Sequence, residues 1–88
     1  MFDDYSNCAM DAVKFKKVRE KCKDLLVGGF SRTKICAYVY DLFQKYMISE
    51  GQEDELYRLT DPNGEADDTY LNYYYEEMIE RNPLLEIA

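Results

Sequence analysis

The sequence predicts an all-α fold, a small bundle of three to four helices. Three observations carry that expectation. Apolar residues recur at helical spacing in successive stretches, and residues that start or stop helices separate those stretches. Nothing alternates with period two over a convincing length. The chain has 88 residues, enough for a single helical domain over 1–88, because single cores need about 50 to 200 residues. Its 47% hydrophobic and 33% charged residues are the composition of a folded chain, not of a disordered acidic tail.

The first helix is expected over Asp11 to Leu26. Phe15, Val18, Cys22, Leu25 and Leu26 fall on one face, while Lys14, Lys17, Arg19 and Lys21 fall away from it. Asp11 near the start and Lys23 near the end suit the helix dipole, and Gly28-Gly29 supplies a stop. Ser31 is the expected N-cap of a second helix of about sixteen residues. There Ile35, Val39, Leu42, Phe43 and Tyr46 line up, Met47 extends the face, and Ser49-Glu50-Gly51 ends it. A strand over Ala37 to Phe43 fits the Tyr and Val content, but the helical stripe covers the same residues better. A short third helix is expected over Gln52 to Leu59, burying Leu56 and Leu59 with Tyr57 at the edge. Asp61-Pro62-Asn63-Gly64 has the composition of a turn. Asp67 or Asp68 then caps a fourth helix reaching about Arg81, with Leu71, Tyr74, Tyr75, Met78 and Ile79 inward. Asn82-Pro83 stops it, and Leu84, Leu85 and Ile87 form an apolar tail that docks back or drives assembly.

The charge is unevenly spread. The formal net charge is −7, from eighteen acids and eleven bases. Residues 1–49 carry nine bases and six acids, whereas residues 50–88 carry two bases and twelve acids. A division of this kind bears on partners more than on fold. The acids of the second half are interleaved with five tyrosines, Tyr57, Tyr70, Tyr73, Tyr74 and Tyr75. If the fourth helix buries the stripe above, its opposite face shows Tyr70, Tyr73, Glu76, Glu77 and Glu80, with Glu65, Asp67 and Asp68 around its start. These eight residues are the candidate partner-binding surface. Tyrosine supplies a large, fairly rigid contact with a hydroxyl, and carboxylates steer the surface toward lysine and arginine.

Other chemistries are disfavoured. The chain contains no histidine, which excludes an imidazole base or a histidine metal ligand. Cys8, Cys22 and Cys36 are odd in number and widely spaced, so they read as reduced, partly buried thiols and not as disulfide or zinc positions. The Asp61–Asp68 stretch fails as an EF-hand loop, since its sixth position is Ala66 and its twelfth is Asn72. No catalytic residue, metal or other cofactor is expected, and the chain reads as non-enzymatic. The segment Leu25–Ala37 resembles the opening of a helix-turn-helix, with Gly29-Phe30-Ser31 before Ile35-Cys36-Ala37. The turn and basic recognition helix that should follow are missing, because the apolar stripe runs on to Met47 and the next segment is acidic. The basic stretch Lys14 to Lys34 could meet phosphate, but a solvated face or pairing with the acidic half is the commoner outcome. The acidic start and the lack of any long apolar run give no signal peptide or membrane span, so a cytoplasmic location is expected.

Asp67-Asp68-Thr69-Tyr70 and Tyr73-Tyr74-Tyr75-Glu76-Glu77 place acids beside tyrosines near a helix start. In this the chain resembles the small acidic inhibitors of phages and mobile elements, the anti-CRISPR and DNA-mimic proteins, and is similar to bacteriocin immunity proteins. The likeness is one of class, over about a tenth of the chain, and the basic first helix departs from it. It implies a non-enzymatic inhibitor whose partner is a basic, nucleic-acid-binding protein such as a nuclease. A regulatory module acting by homo-oligomerisation is the alternative reading, and the composition argues against direct nucleic-acid binding and against a membrane partner.

Overall fold

The first three helices begin where a side chain satisfies free amides of the first turn. The computed structural model describes residues 9–66, 69–77 and 81–86, without the Glu77 side chain. The first helix, α1, spans Ala12–Val27, and the Asp11 carboxylate accepts from the Val13 and Lys14 amides. The second, α2, spans Arg32–Gln44 behind Ser31, whose hydroxyl accepts from the Lys34 amide. The third, α3, spans Glu50–Thr60. The fourth, α4, spans Thr69–Glu77, and a 3-10 turn follows at Pro83–Leu85. Among the described residues there is no strand, and the all-α expectation holds.

Three boundaries differ from the sequence reading. The second helix does not reach Met47. It stops at Gln44 because Tyr46 turns into the left-handed region, with φ of 59°. The Met47 amide then bonds back to the Leu42 carbonyl at 3.0 Å and the Tyr46 amide to Phe43 at 3.0 Å. The first helix ends with the same pattern: Gly29 has φ of 87°, Phe30 bonds back to Leu25 at 2.9 Å and Gly29 to Leu26 at 3.1 Å. Both are Schellman endings, one built on glycine and the other on tyrosine. Second, Ser49-Glu50-Gly51 is the start of α3 and not a stop. Ser49 and Gln52 form a reciprocal capping box, with the Ser49 hydroxyl accepting from the Gln52 amide and the Gln52 side chain accepting from the Ser49 amide. Third, α3 runs on to Thr60. A turn does therefore follow α2, contrary to the sequence reading, but α3 carries Glu50, Glu53, Asp54 and Glu55 against Arg58 alone, so no basic recognition helix follows.

The core forms where α1, α2, α3 and the 3-10 turn converge. Phe15, Val18 and Cys22 of α1 meet Ile35, Val39 and Leu42 of α2, together with Ile48, Leu56 and Leu84. The first helix's Phe15, Val18 and Cys22, the second's Ile35, Val39 and Leu42 and the third's Leu56 are buried as read, with Leu25, Leu26, Phe43 and Leu59 half-buried against them, whereas Tyr46 and Met47 leave the predicted stripe and are exposed. Burying a large aliphatic side chain contributes about 1.5–3 kcal/mol. Leu84 is 1% exposed, so this part of the tail docks back into the core. Ile87 lies outside the described residues.

Two polar clasps fix the ends of the chain to this core. The Gln52 side-chain amide donates to the Met10 carbonyl at 2.9 Å and accepts from the Met10 amide at 2.8 Å, fastening the approach to α1 onto α3. The Asn82 amide donates to the Tyr38 carbonyl and to the Asp41 carboxylate, each at 2.9 Å, while its oxygen accepts from the Leu84 amide. Asp41 also pairs with Lys45 at 2.9 Å. Asn82 and Asp41 are both buried, and a buried carboxylate is tolerated only when it is paired and hydrogen-bonded in this way.

Candidate functional site

Three of the five tyrosines in the acidic half gather around Tyr40 of α2. The Tyr40 ring meets Tyr74 edge-on at 5.0 Å between centroids, Tyr70 at 6.0 Å and Tyr75 at 6.4 Å. Tyr57 of α3 closes the group from the other side, 5.5 Å from Tyr70. Edge-to-face pairs of this kind add about 0.5–1.5 kcal/mol each beyond area burial, so the cluster contributes to holding α4 on α2, with the Tyr57–Tyr70 pair reaching α3.

That attachment changes which residues face outward. The sequence placed Leu71, Tyr74 and Tyr75 inward, with Tyr70 and Tyr73 outward. Instead Tyr70 and Tyr73 are half-buried, and Tyr75 is 65% exposed. Tyr74 and Leu71 stay half-buried as expected. Over the described residues the inward face is therefore Tyr70, Leu71, Tyr73 and Tyr74, turned from the predicted one so that Tyr75 leaves it. Tyr40 and Tyr57 select that register, since a run of tyrosines fits either. Tyr73 lies under the Lys34 ammonium, 5.9 Å from its ring centre, and Lys34 also covers Phe30 at 5.6 Å.

The candidate surface therefore has a different make-up. Glu65 and Glu76 are exposed as expected. Asp67, Asp68 and Glu80 lie outside the described residues, as does the Glu77 side chain, and Met78 and Ile79 of the predicted stripe are outside them too. Tyr75 joins the surface and Tyr40 supports it. Their hydroxyls are 3.3 Å apart, and Tyr74 stacks edge-on to Tyr75 at 5.2 Å. Tyr75 is thus an exposed ring held from two sides, with Glu76 beside it. The sequence signal for this was the spacing of Tyr40 against the main stripe of its helix, which left it at the margin of the core.

Proton chemistry is quiet across the site. The hydrogen bond with Tyr75, then burial and the neighbouring tyrosines, push the Tyr40 phenol up to about 12. Burial, then the hydrogen bond to Glu53, raises Tyr57 strongly. Tyr57 donates to Glu53 at 2.8 Å, and Glu53 is itself raised, by burial and by Glu50 and Asp54, against the pull of that bond. These phenols remain neutral donors at physiological pH. Burial also raises Cys22 to about 11 and Cys36, with Asp61 nearby, to about 12, so both are protonated thiols with no nucleophilic character. Cys8 lies outside the described residues.

The Asp61 carboxylate accepts from the Glu65 amide at 2.9 Å and the Ala66 amide at 2.7 Å, organising the loop before α4. Among the described residues no group of acidic or cysteine side chains could hold a metal ion. Nor is any helix among them long and apolar enough to cross a membrane. The basic stretch is partly answered within the molecule: Arg19 pairs with Glu55 at 2.8 Å, and Arg32 donates to the Thr60 carbonyl at 2.7 Å. No family model, characterised protein or solved structure matches this chain.

Proposed function

We propose that the protein is a small non-enzymatic inhibitor whose acidic, tyrosine-bearing surface occupies the basic, nucleic-acid-binding surface of a partner protein, such as a defence nuclease. The single observation that carries this reading is Tyr75, an exposed ring braced by Tyr40 and Tyr74 and flanked by the exposed Glu76. A partner that ordinarily binds nucleic acid offers lysine and arginine for phosphates and apolar or aromatic surface for bases. Carboxylates in a folded array answer the first, and a pre-set aromatic ring answers the second. Bracing matters because a side chain already held in place loses little freedom on binding. The excess of acid after residue 49 adds a long-range field that speeds encounter with a basic partner. The class likeness to anti-CRISPR, DNA-mimic and immunity proteins is consistent with this reading, which requires no catalytic group.

The test is capture from host lysate on the immobilised protein, followed by elution with a DNA oligonucleotide. Wild type should retain a basic nucleic-acid-binding protein that the oligonucleotide releases, and Tyr75→Ser with Glu76→Lys should retain at least tenfold less, a loss of about 1.4 kcal/mol. Equal retention by both forms, or retention that nucleic acid cannot displace, would overturn the reading.

A further inference from the structure

A second surface lies at the junction of α1, the α2–α3 link and the 3-10 turn. It is a groove of about 270 Å³, whose floor is formed by Met10, Met47, Leu84 and Leu85 and whose rim carries Lys14 and Lys17. Both lysines are exposed, and no described carboxylate pairs with either. The groove is smaller than the ~300–1,000 Å³ of ordinary small-molecule pockets. Its scale suits one inserted side chain, and its chemistry calls for an apolar or aromatic body with a carboxylate next to it.

The chain itself presents that combination. Tyr75 is an exposed ring with the exposed Glu76 as its neighbour, on a helix that packs chiefly against α2. Tyr75 is held against Tyr40 and Tyr74, neither of which lines the groove, so it cannot fill the groove of its own molecule. We propose that the groove receives α4 of a second copy of this chain, with Tyr75 seated over Met47 and Leu85 and Glu76 set against Lys14 and Lys17. The proposed contact is head-to-tail, each α4 seated in the groove of the next copy, and leaves a free groove at one end and a free Tyr75 at the other. Addition of further copies follows. Two exposed ion pairs and one aromatic insertion make a weak interaction, and repulsion between chains of net charge −7 weakens it further. The proposal stands independently of the inhibitor reading, because it needs no other protein.

The experiment is sedimentation equilibrium of the purified chain from ~20 µM to ~1 mM, the range in which contacts of this strength populate. Wild type should show an average mass that climbs past that of a dimer. Lys14→Glu with Lys17→Glu, which spoils only the groove, should stay monomeric. Tyr75→Ser with Glu76→Lys, which spoils only the inserted helix, should also stay monomeric. Mixed in equal amounts, the two variants still hold one good groove and one good α4 between them, so they should form a pair that stops at two copies. That recovery also shows that both variants are folded. A wild type that remains monomeric means the groove is closed within the molecule or serves another ligand, and it overturns the proposal. So does a wild type that levels off at a dimer, self-association of either variant alone, or a mixture that stays monomeric.

Discussion

Tyr46 sits in the left-handed conformation that ends α2, a position where a side chain costs about 1–2 kcal/mol relative to glycine. The residue is 61% exposed, so burial offsets only part of that cost, and the side chain's own contacts oppose the remainder. Tyr46→Gly should therefore stabilise the protein by about 1 kcal/mol, raising Tm by about 4 °C for a domain of this size. A thermal melt that shows a lower Tm would mean the ring's own contacts outweigh the strain. Gln52 has the opposite character, since one side chain completes the α3 cap and holds both backbone groups of Met10. Gln52→Ala should cost about 1–2 kcal/mol in urea unfolding. The capping box was legible as Ser49-Glu50-Gly51-Gln52, a cap followed three residues later by glutamine. The clasp on Met10 was not, because it joins residues 42 apart in sequence.

At the scale of elements, the first two helices show why periodicity succeeds and where it fails. The same Schellman geometry ends both, but only Gly28-Gly29 announces it in the sequence. An apolar stripe that continues through Tyr46 and Met47 hides the other. The fourth helix fails differently: four residues of similar chemistry, Tyr70, Tyr73, Tyr74 and Tyr75, let two registers score alike. Tyr40 and Tyr57 break the tie through ring contacts that no local pattern encodes. The 3-10 turn depends on Asn82, whose side chain reaches the Tyr38 carbonyl, Asp41 and the Leu84 amide. Asn82→Ala should cost about 2–4 kcal/mol, because it removes these bonds and leaves the Asp41 carboxylate buried with fewer partners. Urea unfolding reads that loss, and a change below about 0.5 kcal/mol would show that water replaces the amide.

For the molecule as a whole, alkaline pH should be the weak side. Cys22 and Cys36 move from an ordinary value of 9.0 to about 11 and about 12 on folding. The native state then holds protons that the unfolded chain has released, so stability is full below pH 9.0 and declines as pH rises through the folded values. Urea midpoints measured from pH 8 upward should fall across that window, and Cys22→Ala with Cys36→Ala should flatten the slope. An unchanged slope would assign the decline to the tyrosines instead. The two proposed surfaces also interact at this scale. Head-to-tail assembly covers Tyr75 and Glu76, the residues offered to a partner, so the free inhibitor surface should shrink as concentration rises.

The sequence by itself determined the helical class, the cores of α1 and α2, the division of charge and the absence of histidine chemistry. These follow from composition and from spacing within a few turns, where the same physics acts whatever the surroundings. The tertiary structure decided where α2 stops, which tyrosines of α4 face outward, and that Leu84 is buried while Lys14 and Lys17 border a groove. The first depends on the backbone conformation at Tyr46, and the others on contacts between residues far apart in the chain. A backbone conformation, a ring against a ring, or a buried amide against a carboxylate breaks a tie that local pattern leaves even.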